Sequence, residues 1–384
     1  MKILLVGSGD TIFITSYAKA LKKVLDVEVH VYSPYPRIGN YDSYPYDYVY
    51  FENNVKFSSR LLNKIAFLLI PFIFRKRFSS FLKKKNTRYD IIHFHRILPA
   101  WVLNIKGYRK YCKKLLLTFW GGELDVEHLF LSRKLYKHRL GALVSESDNV
   151  ISAFSDSRYF QQYPILKEKG LFGVYGSSIV DEIYKIDKNK ARKALDIPQD
   201  RVTILLGYSG KRIHNHTKIL KKIVSDVKFG RYRHQLHFLV SMTRGGSEEY
   251  TCEIEKELKK TDANYTLIKG GYSSDKDVAN LRVATDFVFQ LSEFDGVSSS
   301  IKECLCAGSI VITGDWLPYS LLKDKGFLYP EVSNIEEGVK VFYQLLDDYP
   351  VCLDNYVVNK SLGRGEFSWN YCIKNWANTY KKVL

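Results

Sequence analysis

The sequence predicts an α/β protein of two Rossmann-like domains, each a parallel sheet with helices on its faces. Three observations carry that expectation. The 384 residues exceed what one hydrophobic core comfortably holds. The chain opens with an apolar strand, a glycine turn and a helix-spaced segment, and the same order restarts near residue 202. Between the two, residues 181–190 are charged and lack apolar periodicity, as a linker would.

In order, residues 2–6 (KILLV) are a continuous apolar run closed by Gly7-Ser8-Gly9-Asp10. Residues 11–24 have helical spacing, and 27–32 (VEVHVY) form a second strand. The glycine loop is not a dinucleotide fingerprint, because G-x-G-x-x-G needs glycine where Ile12 stands. A tight turn lining a cleft at the strand's carboxyl end fits better. Residues 41–50 are tyrosine-rich and read as loop. Residues 65–74 (IAFLLIPFIF) are apolar and flanked by Arg60, Lys64, Arg75, Lys76, Arg77, Lys83, Lys84 and Lys85. The run is too short to span a bilayer, and Pro71 interrupts a simple helix. Its ring of cations favours an interfacial segment on an anionic membrane, with a helix packed on the sheet as the alternative. In the strand 90–95 (DIIHFH), His93 and His95 share a face. A histidine facing a cleft is favoured over a metal pair, since no third ligand is near in sequence. The strand 115–119 runs into Trp120-Gly121-Gly122-Glu123-Leu124-Asp125, a candidate cleft loop. Residues 149–154 are a further strand, with a helix expected from about Ser157.

In the second half, 191–195 reads as a helical turn and 202–206 (VTILL) as a strand. Gly207-Tyr208-Ser209-Gly210-Lys211-Arg212 follows, then a helix from about Asn215. Strands are expected at 236–240, 266–268, 287–289 and 310–312, and a short helix at 275–281. Two halves of similar size are expected to face each other across a cleft.

The net charge is +17, and residues 1–190 hold 31 of the 58 Lys and Arg but only 17 of the 41 Asp and Glu. A basic first half suits an anionic partner: a membrane surface, a nucleic acid or a phosphorylated substrate, or else a merely solvated basic surface. The six cysteines are scattered, and only Cys304 and Cys306 lie close, so reduced thiols are expected rather than a zinc site. No secretory signal is read ahead of the first strand.

Two stretches carry chemistry. Residues 292–314 (SEFDGVSSSIKECLCAGSIVITG) read as loop, helix start, short helix, turn and strand. A helix start with free N–H groups takes a phosphate. Asp295 and Glu303, eight apart, lie just over two turns from each other and suit neutral hydroxyls better than phosphate. A capped surface helix with solvated acids is the alternative. In residues 207–212 small residues admit a ligand to the backbone, and Lys211 and Arg212 supply cations before a helix, as a diphosphate requires. No GxxxxGK[ST] loop, Ser-His-Asp pattern or HExxH occurs.

These motifs, nearly end to end, resemble retaining GT-B glycosyltransferases of the family 4 type. KILLVGSGD resembles the family's first strand and acceptor-side loop, YDIIHFH its D-x-x-H-x-H strand, and LTFWGGE its T-x-H-G-[ST]-[DE] element, with Trp120 where histidine is usual. DNVISAFSDS and ARKALDIPQDRVTILLGYSG resemble later elements of it. FDGVSSSIKECLCAGSIVI resembles the two-glutamate motif, with Asp295 in place of the first glutamate. GYSGKRIHNH and FWGGELD also resemble fucosamine-type transferases acting on undecaprenyl-linked acceptors. The resemblance implies that Lys211 and Arg212 hold the donor diphosphate, with Ser209 and Gly210 contacting phosphate through backbone. It implies that Glu303 binds the ribose, Asp295 the sugar hydroxyls, and Gly296, Val297, Ser298 and Ser299 the sugar and phosphate through amides. Lys269 and Gly270 flank the base, and Gly9, Asp10, His95, Trp120 and Glu123 face the acceptor. Asp295, Lys211 and Arg212 are the implied catalytic set. Trp120 implies a less polar donor sugar. The implied domains are 1–185 on the acceptor side, 186–365 for the nucleotide sugar, and a helix over 366–384 crossing back to the first. No metal or cofactor is expected. The expected partners are a nucleotide-sugar donor, a lipid-linked or glycan acceptor and the inner face of the cell membrane. A nucleotide-sugar epimerase and a nucleic-acid-binding protein are the competing classes.

Overall fold

Apolar runs with little alternation become parallel strands buried on both faces, and helices must then cover those faces. Both halves of the chain follow this rule. The computed structural model describes residues 1–37, 44–53, 60–95, 105–119, 133–152 and 168–384. The chain divides into one unit of Met1–Tyr175 with Trp369–Leu384, and another of Gly176–Ser368.

The first unit contains β1 (Lys2–Val6), α1 (Ile12–Val24), β2 (Glu28–Ser33), β3 (Tyr48–Phe51), α2 (Arg60–Lys85), β4 (Tyr89–His95), β5 (Cys112–Phe119), α3 (Arg133–Glu146), β6 (Asn149–Ser152) and β7 (Gly170–Phe172). The seven strands pair in parallel in the order β3-β2-β1-β4-β5-β6-β7. Part of the tyrosine-rich loop expected at 41–50 is therefore the edge strand β3. Its Val49 and Tyr50 register against Val31 and Tyr32. Helix α2 runs unbroken through Pro71, where an interruption was expected. Its Phe74, Phe78, Phe81 and Leu82 are buried on the sheet with Leu4, Phe94 and Leu117. That half of α2 is thus a core helix, and Phe72 and the side chains of Arg75, Lys76, Lys83 and Lys84 are exposed. No described helix is long and apolar enough to cross a membrane.

The other face of the sheet is covered by α1 and the C-terminal helix Trp369–Val383. Trp376 is fully buried there, and its indole N–H donates to Val174 C=O (2.8 Å). His93 bonds Tyr380 through Nδ1 and Thr118 through Nε2, so it ties β4 to β5 and to the C-terminal helix. Both its ring nitrogens are used inside the core.

The second unit contains α4 (Ser178–Ile183), α5 (Lys188–Lys193), β8 (Val202–Leu206), α6 (His216–Ser225), β9 (Leu236–Ser241), α7 (Glu248–Lys259), β10 (Asn264–Ile268), α8 (Asp275–Ala284), β11 (Phe287–Gln290), α9 (Ser299–Ala307), β12 (Ile310–Gly314), β13 (Glu331–Val332), α10 (Ile335–Asp347) and α11 (Val357–Phe367). Its sheet is parallel, in the order β10-β9-β8-β11-β12-β13. Helices α6, α7 and α10 bury Ile219, Ile254 and Phe342 on one face of it. Helices α8, α9 and α11 pack with α4 and α5 on the other side. The charged segment 181–190 is not a linker. It folds into α4 and the start of α5, where Lys188 and, just beyond the segment, the buried Arg192 both pair with Asp286, which has no exposed surface, while Lys185, Asp187 and Lys190 stay exposed.

Candidate active site

Strands β8 and β11 are neighbours, yet the helices that follow them leave in opposite directions. Helix α6 lies on one face of the sheet and α9 on the other. Such a reversal opens a crevice at the carboxyl ends of the strands, where ligands of parallel sheets bind. The loops at this point, 207–215 and 291–298, contain residues 207–212 and the start of 292–314, the two stretches singled out in the sequence. They are joined to each other: the Glu293 N–H donates to Ile213 C=O (2.9 Å), Asn215 Nδ2 to Leu291 C=O (2.9 Å), and Tyr208 OH to Asp295 Oδ1 (2.9 Å).

Asp295 is held from three sides. Besides Tyr208, Gln290 Nε2 (2.7 Å) and Tyr319 OH donate to its other oxygen. Burial raises its pKa, opposed by the hydrogen bonds from Tyr319 and Tyr208. Tyr208, Gln290 and Tyr319 were not singled out from sequence. Only Tyr208 carried a usable signal, as the one aromatic inside the glycine turn. After Asp295 the chain passes Gly296 and Val297 to Ser298, which caps α9 by accepting from the Ile301 N–H (3.3 Å). The amides of Ser299 and Ser300 therefore open the helix.

In the other loop Ser209 is buried and bonds His214 Nε2 (2.8 Å). Burial holds the pKa of His214 down to about 3 and that of His216 to about 4, so both rings are neutral. The Lys211 side chain is exposed and, among the described residues, has no hydrogen bond or ion pair. Arg212 does not join it: its guanidinium pairs with Glu253 on α7 (2.8 Å) and lies over the Tyr250 ring (4.2 Å). Lys269 likewise pairs with Glu255 on α7 (2.7 Å), while Gly270 stands beside it with a left-handed backbone (φ +80°). Two of the three cations expected at the donor are thus committed to a neighbouring helix.

No protein-family model matches the sequence, and a search of curated proteins finds no match. Solved structures do match over the whole chain. A glycosyltransferase from Rickettsia africae superposes with a TM-score of 0.70 at 17% identity, covering 100% of this chain and 98% of its own. Sucrose-phosphate synthase from Thermosynechococcus elongatus gives 0.74 at 14%, covering 100% and 99%. UDP-GlcNAc 2-epimerase from Neisseria meningitidis, bound to UDP-GlcNAc, gives 0.65 at 14%, covering all of both chains. The fold is GT-B.

Within this GT-B fold Glu303 lies on α9, five residues beyond its cap, and is 3% exposed. It accepts from Ser177 Oγ (3.0 Å) and Arg282 Nε (3.3 Å). Burial raises its pKa, opposed by the Arg282 guanidinium. In the first unit, Gly9 and Asp10 follow β1, and His95 ends the adjacent β4. Gly9 C=O accepts from Tyr46 OH (2.6 Å). His95 is buried with its ring centre 4.0 Å from that of His93, and burial holds its pKa down to about 3. Trp120, Glu123 and the helix expected from Ser157 lie outside the described residues.

Proposed function

We propose that the protein is a glycosyltransferase that moves a sugar from a nucleoside-diphosphate sugar to a lipid-linked or polysaccharide acceptor at the inner face of the cell membrane. The observation that carries this reading is the pair of loops joined by Tyr208 and Asp295 at the carboxyl ends of β8 and β11. A nucleotide sugar needs cations and amides for its diphosphate and acceptors for its hydroxyls, and these loops supply both. In this reading Lys211 and the amides of residues 296–300 meet the diphosphate. Asp295 orients the sugar, and Glu303 receives the ribose hydroxyls.

The chemistry balances without a cofactor. The bond between the anomeric carbon and the phosphate oxygen breaks, and its electron pair leaves on the nucleoside diphosphate. The acceptor hydroxyl oxygen forms the new bond to the anomeric carbon and passes its proton to the departing phosphate oxygen. The transition state is oxocarbenium-like, and the charge developing on the leaving phosphate falls where Lys211 and the start of α9 provide fixed positive partners. In this reading no metal is required, and the anomeric configuration is retained.

The basic side of α2, with Phe72, Arg75, Lys76, Lys83 and Lys84 outward, supports peripheral attachment to an anionic membrane. A nucleotide-sugar epimerase uses the same kind of donor pocket, and the epimerase among the structural neighbours keeps that reading open. A panel of nucleotide sugars separates the classes. Thermal stabilisation by one of them is expected, followed by acceptor-dependent release of nucleoside diphosphate. Conversion of the sugar without an acceptor makes the protein an epimerase, and no stabilisation by any nucleotide sugar overturns both.

A further inference from the structure

The loop after β9, residues 242–247 (MTRGGS), crosses the Lys211 loop at van der Waals distance. The Gly210 N–H donates to Arg244 C=O (2.9 Å). A Cβ on Gly210 would lie 2.7 Å from Gly246 Cα. Gly245 has φ +70°, and a Cβ there would lie 2.7 Å from Lys211 Cγ. Glycine at these positions is what lets the two loops lie backbone to backbone. The crossing sets Arg244 next to Lys211, at the carboxyl ends of the adjacent strands β9 and β8.

Both side chains are exposed, and among the described residues neither has a hydrogen bond or an ion pair. Several acids of the neighbouring elements are engaged elsewhere, while Glu248 and Glu249 open α7 and are exposed. Asp295 is held by Tyr208, Gln290 and Tyr319, Glu253 by Arg212, and Glu255 by Lys259 and Lys269. Burial first, then the neighbouring His216 and Lys211, lower the pKa of His214. Two cations carried on touching loops suit a dianion, which can accept from both. Hydroxyls accompany them: Ser241 Oγ bonds Thr243 Oγ1 (3.1 Å) and Tyr272 OH (2.7 Å) at the end of β9.

We propose that Arg244, not Arg212, is the second cation of a diphosphate clamp with Lys211. The guanidinium offers a planar donor fork for one phosphate and the ammonium a point charge for the other. The ligand is the diphosphate of the nucleoside-diphosphate sugar, so its identity rests on the glycosyl-transfer reading.

Inorganic pyrophosphate tests the clamp without assuming a base or a sugar. Titration calorimetry of the full chain is expected to show pyrophosphate binding, weakened about 10- to 100-fold in Arg244→Ala and in Lys211→Ala. Arg244→Lys recovers part of the loss, and Arg212→Ala stays within about twofold of the parent. Circular dichroism checks that each variant is folded. No pyrophosphate binding by the parent protein, parent-like binding by Arg244→Ala, or an equal loss in Arg212→Ala overturns the clamp. Pyrophosphate binding that depends on Arg244, together with no response to any nucleotide sugar, keeps the clamp and overturns the transferase reading.

Discussion

Asp286 shows how much of this chain depends on single buried charges. It has no exposed surface, and it accepts from Arg192 Nη2 (2.6 Å), the Thr203 N–H (2.7 Å) and Tyr349 OH (3.1 Å), with Lys188 also paired to it. Arg192 is 5% exposed, so Asp286→Ala leaves a guanidinium buried without its counter-charge. Such a change costs about 3–5 kcal/mol, read as a lower urea midpoint. Glu303→Ala has the same consequence for buried Arg282. Loss of donor binding in Glu303→Ala is therefore expected to come with lost stability, whereas Lys211→Ala loses binding at an unchanged midpoint. At this scale, the positions of Lys211, Asp295 and Glu303 were legible because glycine turns, small residues and acids cluster in short stretches. Their partners were not. Arg212 finds Glu253 41 residues on, and Asp295 finds Tyr208 87 residues back. Nothing local distinguishes a cation that pairs with a helix from one left open. Arg244 had a readable signal, since MTRGG after β9 again sets a cation beside glycines at a strand end, as GYSGKR does after β8.

Helix α2 joins a core to a basic surface within one element. Phe74, Phe78, Phe81 and Leu82 recur at helical spacing and pack on β1, β4 and β5, while Arg75, Lys76, Lys83 and Lys84 point away. The apolar run was legible as an element, but two environments satisfy the same composition, and only the sheet decides which face is buried. The exposed cations make a salt-sensitive surface. Lys83→Glu with Lys84→Glu is expected to reduce binding to vesicles containing anionic lipid by about tenfold or more, at unchanged stability. Equal binding by the double variant and the parent protein would place any membrane contact elsewhere. The segment 181–190 shows the opposite failure of local reading. Its charge density resembles a linker, yet α5 is anchored on Asp286 through Lys188 and Arg192. Beside α4, residues at the start and end of the second unit are paired with each other. Ser177 N–H donates to Phe367 C=O (2.8 Å), Ser177 bridges Ser368, and Ser368 Oγ donates to Asp181. Ser177 also reaches Glu303, so α9 is tied to the start of that unit.

Over the whole molecule, each unit has its own sheet and core, and each core holds neutral histidines. Burial keeps His95 and His214 near 3 and His216 and His237 near 4, and lowers His30 and His93. Below the ordinary histidine value of 6.5 the unfolded chain takes up protons that the folded chain refuses. Stability therefore rises with pH across that interval, is complete above it, and is lost as the solution is acidified. Asp295 and Glu303, whose pKa is raised, pull the other way, but they are two against six. A lower urea midpoint at pH 5 than at pH 7.5 is expected. Two cores also mean that unfolding need not be a single transition. The proposed donor groups Lys211, Arg244, Asp295 and Glu303 all belong to the unit Gly176–Ser368. A ligand stabilises only the state that binds it, by about 2.7 kcal/mol at a hundredfold excess over its Kd. Nucleotide sugar is therefore expected to protect the amides of β8, β9, β11 and α9 from hydrogen exchange through subglobal opening of that unit, and to leave β1, β2 and β4 unchanged. Exchange slowed equally in both units would mean that the second unit does not open on its own, and the donor site would then report on the stability of the entire chain.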